Sequence, residues 1–309
     1  MPRQSSIRTV IGALLANAAI AIVKFVAAAA TGSSAMLAEA IHSVVDTGDS
    51  ILLLLGMRLA SRPPDERHPF GHGRDAFFWS FVVAMLIFGV GGGVTAYEGI
   101  LRLRAPAPVR HVTASYVVLG AAALFETISL VIGLKALLDY RRRRLPGTSL
   151  FRTMHLAKDP TMITVVLEDS AALAGLLIAF LGVFLSTTLH RPVFDGAASL
   201  LIGLMLAGVA VILGAECRGL IVGERALPDV VAGARELLRV HPAVREVREV
   251  NTMQIGPDEV LLTVSLGFRA DLSDHALGRA ARDLDRALRE RFPEIKRVLL
   301  EAGSLSPAG

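Results

Sequence analysis

Cysteine is almost missing from this chain of 309 residues, and the single Cys217 excludes an internal disulfide and a multi-cysteine zinc module. Charge is scarce as well. Only 19% of residues are charged, against about 25% in an ordinary soluble domain. No H-E-x-x-H motif occurs, which argues against a zinc-protease helix, and no convincing nucleophile–base pair stands out. No repeat of 20–50 residues is found, so a solenoid is excluded. The formal charge of +4 and pI of 9.6 invite a nucleic-acid partner. The basic residues cluster beside apolar segments, however, as membrane topology demands, and no nucleic acid is expected.

What is present is apolar residue, at 53% of the chain, with a mean hydropathy of +0.55. The apolar runs lie before residue 215, whereas 224–309 is rich in Arg, Glu and Asp. This contrast predicts a transmembrane domain over 1–215, a linker over 216–227 and a second domain over 228–309. A span needs about 20 mostly apolar residues. Six stretches qualify, near 8–30, 35–58, 77–101, 113–138, 160–186 and 194–215. The first, about 22 residues long, exceeds the 7–15 residues of a signal-peptide core and is read as a span that is kept. Arg62, Arg67 and Arg74 lie on one connection, and Arg141–Arg144, Arg152 and Lys158 on another of the same side. The opposite side has Arg102, Arg104, Arg110 and Arg191. This asymmetry places both termini in the cytoplasm, in an integral multi-pass protein of the cell (inner) membrane.

The last 82 residues change period. "LPDVVAGARELLRVHP" reads as a helix, "VREVNTMQI" and "EVLLTVSLGF" as strands, "SDHALGRAARDLDRALRERF" as a second helix capped by Ser273 or Asp274, and "KRVLLEA" as a third strand. The predicted fold class is a six-helix transmembrane bundle with a small cytoplasmic α+β domain, α-β-β-α-β and ferredoxin-like.

The second span carries ionisable groups. "SSAMLAEAIHSVVDTGDSILLLLG" places Glu39, His42, Asp46 and Asp49 at i, i+3, i+7 and i+10, one stripe of a helix. Each charge at a span centre costs roughly 2.5–3.5 kcal/mol on insertion scales, so such residues face a bundle interior or wet cavity. His42 and Asp46 are one turn apart and suit a divalent transition metal; a His–Asp pair that only joins helices is the equal alternative. The fifth span starts at Asp159-Pro160, a capping acid and a first-turn proline, and brings Asp169 about 14 Å into the membrane. Asp46 lies roughly 18 Å into its own span. A cation between the two acids would remove their repulsion. Asn17, Lys24 and Glu126 fit either an ion path or internal hydrogen bonding; Asp195 reads as a helix cap.

Between spans two and three, "SRPPDERHPFGHGRDAFFW" offers Asp65, His68 and His72 within eight residues. They suggest a shallower metal site, with a polar loop of capping or stacking histidines as the alternative.

Six spans, "GSSAMLAEAIHSVVDTGDS", "RPPDERHPFGHGR", an acid in mid-span five and an α/β tail together resemble the cation diffusion facilitator family of divalent-metal/proton antiporters. The resemblance covers nearly the whole chain. It implies a four-ligand transport site at His42, Asp46 and Asp169, with the fourth position falling at Val165, which cannot bind metal. Glu168 is the preferred substitute, with Asp49 or water as alternatives; Glu39, Asp49 and Glu126 are candidates for the surroundings of the site or the ion path. The loop site is implied at Asp65, His68 and His72. The resemblance further implies a homodimer in the lipid bilayer that exports a divalent cation, Zn²⁺ first, with protons as counter-ion and no organic cofactor. Fe²⁺, Mn²⁺ or Co²⁺ export is the alternative of the same family, and a membrane-anchored metal-dependent enzyme that of another class. The tail has only His241 and His275, and no His-rich loop joins spans four and five, so a metal cluster in the tail is not expected.

Overall fold

The computed structural model describes residues 2–302, with side chains from 17 to 301. The chain forms two compact units, one of residues up to Arg58 with Phe78–Cys217, the other of Leu59–Phe77 with Arg218 onward. The first contains helices α1 (Pro2–Thr31), α2 (Ser34–Ala60), α3 (Asp75–Leu86), α4 (Thr95–Arg104), α5 (Val112–Arg144), α6 (Leu150–Leu156), α7 (Pro160–Thr188) and α8 (Val193–Val222), the ends of α2, α3 and α8 passing into the second unit. A π-helical stretch, Ile87–Val94, joins α3 to α4 as one apolar rod, Asp75–Arg104. Among the described residues, α2, this rod, α5, α7 and α8 are long and apolar enough to cross a membrane. Of α1, the described apolar stretch Asn17–Thr31 is shorter than these five and does not reach that length. The expected first span, 8–30, thus lies partly outside the residues whose side chains are described. The helix α8 continues to Val222, so the first part of the expected linker is helical.

Local sequence explains the helix starts. Asp159 accepts from the backbone N–H groups of Thr161 (3.0 Å) and Met162 (3.4 Å), with Pro160 in the first turn of α7. Asp195 caps a helix too, but a different one from its own. Its buried carboxylate accepts from the Ser34 backbone N–H (2.6 Å) and hydroxyl (2.9 Å), the Ala35 N–H (3.4 Å) and the Ser33 hydroxyl. A residue of the sixth expected span therefore satisfies the open N–H groups of α2, the helix that carries the acidic stripe.

The rod and α8 meet along small residues. A Cβ on Gly203 would lie 2.4 Å from the Ala96 backbone nitrogen, and one on Gly99 would lie 2.4 Å from that of Leu200. Such near backbone contact is how helices gain van der Waals packing where lipid removes the hydrophobic driving force.

The second unit adds α9 (Pro228–Val240), β1 (Val244–Gly256), β2 (Glu259–Phe268), α10 (Asp274–Arg291) and β3 (Ile295–Ala302). The sheet order is β1-β2-β3, antiparallel between the first pair and parallel between the second, with α10 making the crossover. In β2, Val260, Leu262, Val264 and Leu266 are buried at period two; α10 contributes Ala280, Leu284 and Leu288 one turn apart, and α9 Val230, Ala234 and Leu238. The α-β-β-α-β order is as expected. Among the described residues the sheet has three strands, a coarser result than the ferredoxin-like expectation.

Replacing Gly203 by Leu should push the rod off α8 and lower the thermal unfolding midpoint in detergent by several degrees, since the clash is with backbone. Gly208→Leu, where a Cβ meets open space, should leave the midpoint within about 2 °C of the parent.

Candidate metal centres

The loop after α2 is organised by Asp65. Its Oδ1 accepts from the His68 backbone N–H at 2.6 Å and lies 3.2 Å from His68 Nδ1, while Oδ2 lies 3.0 Å from His72 Nε2. The two imidazoles are tilted against each other with centroids 4.3 Å apart. Gly71, at φ +94, supplies the left-handed turn that brings His72 back to Asp65. Among the described residues, Asp65, His68 and His72 are the group whose ligand atoms all fall within 4.8 Å of one another. One carboxylate and two imidazole nitrogens in that space match the donor set of a borderline divalent cation. The His68 N–H, then the His72 ring, hold the Asp65 carboxyl down to about 2.

Sequence reading missed Asp75. At the first turn of α3 and three residues after His72, its Oδ2 lies 3.4 Å from His72 Nδ1. His72 is thus held between Asp65 on one nitrogen and Asp75 on the other, the arrangement that fixes tautomer and ring direction in metal-binding histidines. The i, i+3 spacing of His72 and Asp75 was the available signal.

In the bundle, His42 is buried on α2, with Nδ1 3.2 Å from Asp46 Oδ1. Neither ring nitrogen has a directional hydrogen-bond partner, and Asp46 Oδ1 has none either. Asp46, Glu126, Glu168 and Asp169 all line one cavity of about 280 Å³ between α1, α2, α5 and α7. Val165 lines it too, so the position expected for a fourth ligand does face this space. Glu168 and Asp169, about 100° apart around α7, both reach the cavity. Ser129 on α5, unmarked in the sequence, donates to Asp169 Oδ2 at 2.8 Å. Asp49 is fully buried, neither of its carboxylate oxygens has a hydrogen-bond partner among the described residues, and it does not line the cavity. Glu39 is turned to α1, where the buried Lys24 ammonium lies 3.3 Å away and donates to Ser43 at 2.7 Å. The structure therefore gathers three of the four expected transport ligands on one cavity, leaves His42 one turn along the same stripe, and takes Glu39 into an internal ion pair.

The family model described as the cation efflux transmembrane domain matches residues 10–221. The chain belongs to the cation efflux family. This is the cation diffusion facilitator relationship suggested by the second span and the loop after it. This efflux-family chain is 30% identical over 84% of its length to a protein of Xenopus laevis named proton-coupled zinc antiporter SLC30A9, mitochondrial, and likewise to that of Homo sapiens. It spans about half the length of those relatives, 46% in each case. It is 28% identical to metal tolerance protein C4 of Arabidopsis thaliana, over 97% of this chain and 64% of the relative. With the cation-efflux pump FieF of Cronobacter sakazakii it shares 28% identity, over 93% of this chain and 89% of the other.

Two outcomes follow for the loop. Asp75→Asn should weaken Zn²⁺ binding there about 10–100-fold without removing a ligand, as read by competition against a chromophoric chelator. Because the folded Asp65 carboxyl is depressed below its usual 3.8, the turn it organises is fully supported above that value and lost only as pH falls toward about 2. Protection of the His68 amide in hydrogen exchange should therefore persist from pH 7 to pH 5. Any metal released over that interval leaves because protons compete for the imidazoles.

Proposed function

We propose that this protein is a secondary active transporter that exports a divalent transition-metal cation, Zn²⁺ first, from the cytoplasm in exchange for protons. The observation that carries the reading is the cavity shared by Asp46, Glu126, Glu168 and Asp169, drawn from three helices and flanked by His42. Acids gathered in an apolar bundle repel one another when ionised, and a divalent cation or protons relieve the repulsion equally well. The same groups therefore serve two cargoes in turn. Imidazole must be neutral and carboxylates ionised to hold metal, so loading metal expels protons and loading protons expels metal.

His42, Asp46 and Asp169 are the proposed ligands, with Glu168 as the fourth in place of Val165. Asp65, His68 and His72 form a second, shallower site. Glu126 lines the path of the ion, and Asp49 belongs to the surroundings of the site. The protein acts as a homodimer with both termini in the cytoplasm of a cell (inner) membrane, an orientation supported by the arginine asymmetry of its connections. A relative bearing the name of a proton-coupled zinc antiporter supports the cargo and the counter-ion. An oxygen-rich ligand set also suits Fe²⁺, Mn²⁺ and Co²⁺, which are the competing cargoes. Family membership replaces the membrane-enzyme alternative.

Proteoliposomes carrying a pH-sensitive dye test the proposal. Imposing a Zn²⁺ gradient should drive proton movement in the opposite direction, and Asp46→Asn or Asp169→Asn should reduce it to the level of empty vesicles while gel filtration shows intact protein. Unchanged flux in either variant would remove that residue from the site. Val165→His, which adds a nitrogen donor at the cavity wall, should tighten Zn²⁺ binding relative to Mn²⁺.

A further inference from the structure

We propose that the second unit holds a binding site for a phosphate-bearing anion, between the loop that carries Asp65, His68 and His72 and the sheet beneath it. A recess of about 450 Å³ lies there, and its walls include Arg62 from the loop and Arg289, Lys296 and Arg297 from α10 and β3, against one acid, Glu259. Four cations face one carboxylate in the wall, and Asp285 pairs with Arg289, so two positive charges are left uncompensated around one concavity.

Three of the four cations are not consumed by internal pairing. Among the described residues, Arg62, Lys296 and Arg297 have no carboxylate within ion-pair distance. Arg297 donates from Nη2 to the Pro69 carbonyl at 2.8 Å and lies 5.8 Å from the Phe70 ring centroid, so a neutral group and an aromatic face aim its guanidinium without neutralising it. Arg289 is oriented by Asp285 (2.9 Å) and by the Lys296 carbonyl (2.8 Å). The Glu259 carboxylate lies against the loop backbone, where a Cβ on Gly73 would come within 3.0 Å of its Oε2. Two pre-aimed guanidiniums with a nearby ammonium are the donor set that recognises phosphate oxygens.

The chemistry has two sources, the headgroup of an anionic phospholipid and a soluble phosphate. Ala60, the last residue of α2, is itself part of the wall, so the chain ties the recess to the end of a span. Phe70, 49% exposed, offers an apolar shoulder beside the cations. Basic recesses next to the ends of spans are where anionic headgroups bind. An occupant would join Arg62 of the loop to Lys296 of β3, and so restrain the segment that carries the loop histidines.

Full-length protein in phosphatidylcholine nanodiscs tests the site in two arms, one with inorganic phosphate added and one with phosphatidylglycerol in the bilayer. Thermal unfolding and lipid retained in native mass spectrometry are the readouts. The parent should be stabilised in at least one arm, and the arm identifies the source. Arg62→Gln/Lys296→Gln should weaken that binding at least about tenfold, and raising salt should weaken it in the parent. Lys296→Gln alone, at an exposed side chain, should give a smaller loss in the same direction and decides the matter where the double variant does not fold. Equal behaviour of parent and folded variants in both arms overturns the site.

Discussion

Carboxylates inside an apolar bundle need a positive partner, and the membrane unit is arranged around meeting that need. Glu39 has Lys24, a fixed ammonium at 3.3 Å on the neighbouring helix. Asp195 has a row of N–H and O–H donors at the start of α2. Both are settled within the protein. Asp46, Glu168 and Asp169 are left on a cavity with hydroxyl and imidazole neighbours and, among the described residues, without an ion-paired ammonium or guanidinium. In a low-dielectric interior this difference separates acids that are neutralised within the fold from acids that are not.

The settled acids support the unsettled ones. Helix α2 is anchored at its N-terminus by Asp195 of α8 and one turn below the stripe's first acid by the Lys24–Ser43 hydrogen bond. His42 and Asp46 therefore project from a helix whose rotation is fixed at two points. Close backbone packing of the Asp75–Arg104 rod on α8 stiffens the other side of the bundle. The loop site follows the same logic at smaller scale, with Asp65 and Asp75 holding His72 from both ring nitrogens.

Much of this was legible from residue order. Hydropathy located the apolar helices, because each must satisfy its own backbone in lipid and so must be long and continuous. Asp159-Pro160 marked the start of α7 because capping chemistry is local. The stripe of α2 and the Asp65-His68-His72 cluster were visible because their members lie within a few turns or one short loop. Partnerships between distant segments were not. Ser129 reaches Asp169 across forty residues, and Asp195 reaches Ser34 across 161. Asp195 was read as a cap, yet which helix it caps depends on how the bundle packs.

By itself, then, the order of residues determined five of the six expected apolar helices, the α-β-β-α-β tail and the identity of the acidic and histidine ligand candidates, since periodicity, capping and short-range spacing act along the chain. Only tertiary structure decided which acids are neutralised internally and which face the cavity, that Val165 occupies its wall, and that the histidine loop packs with the second unit rather than the first. The reason is physical: the charge state a buried acid can sustain is set by what surrounds it in space, and those neighbours come from helices far away in sequence.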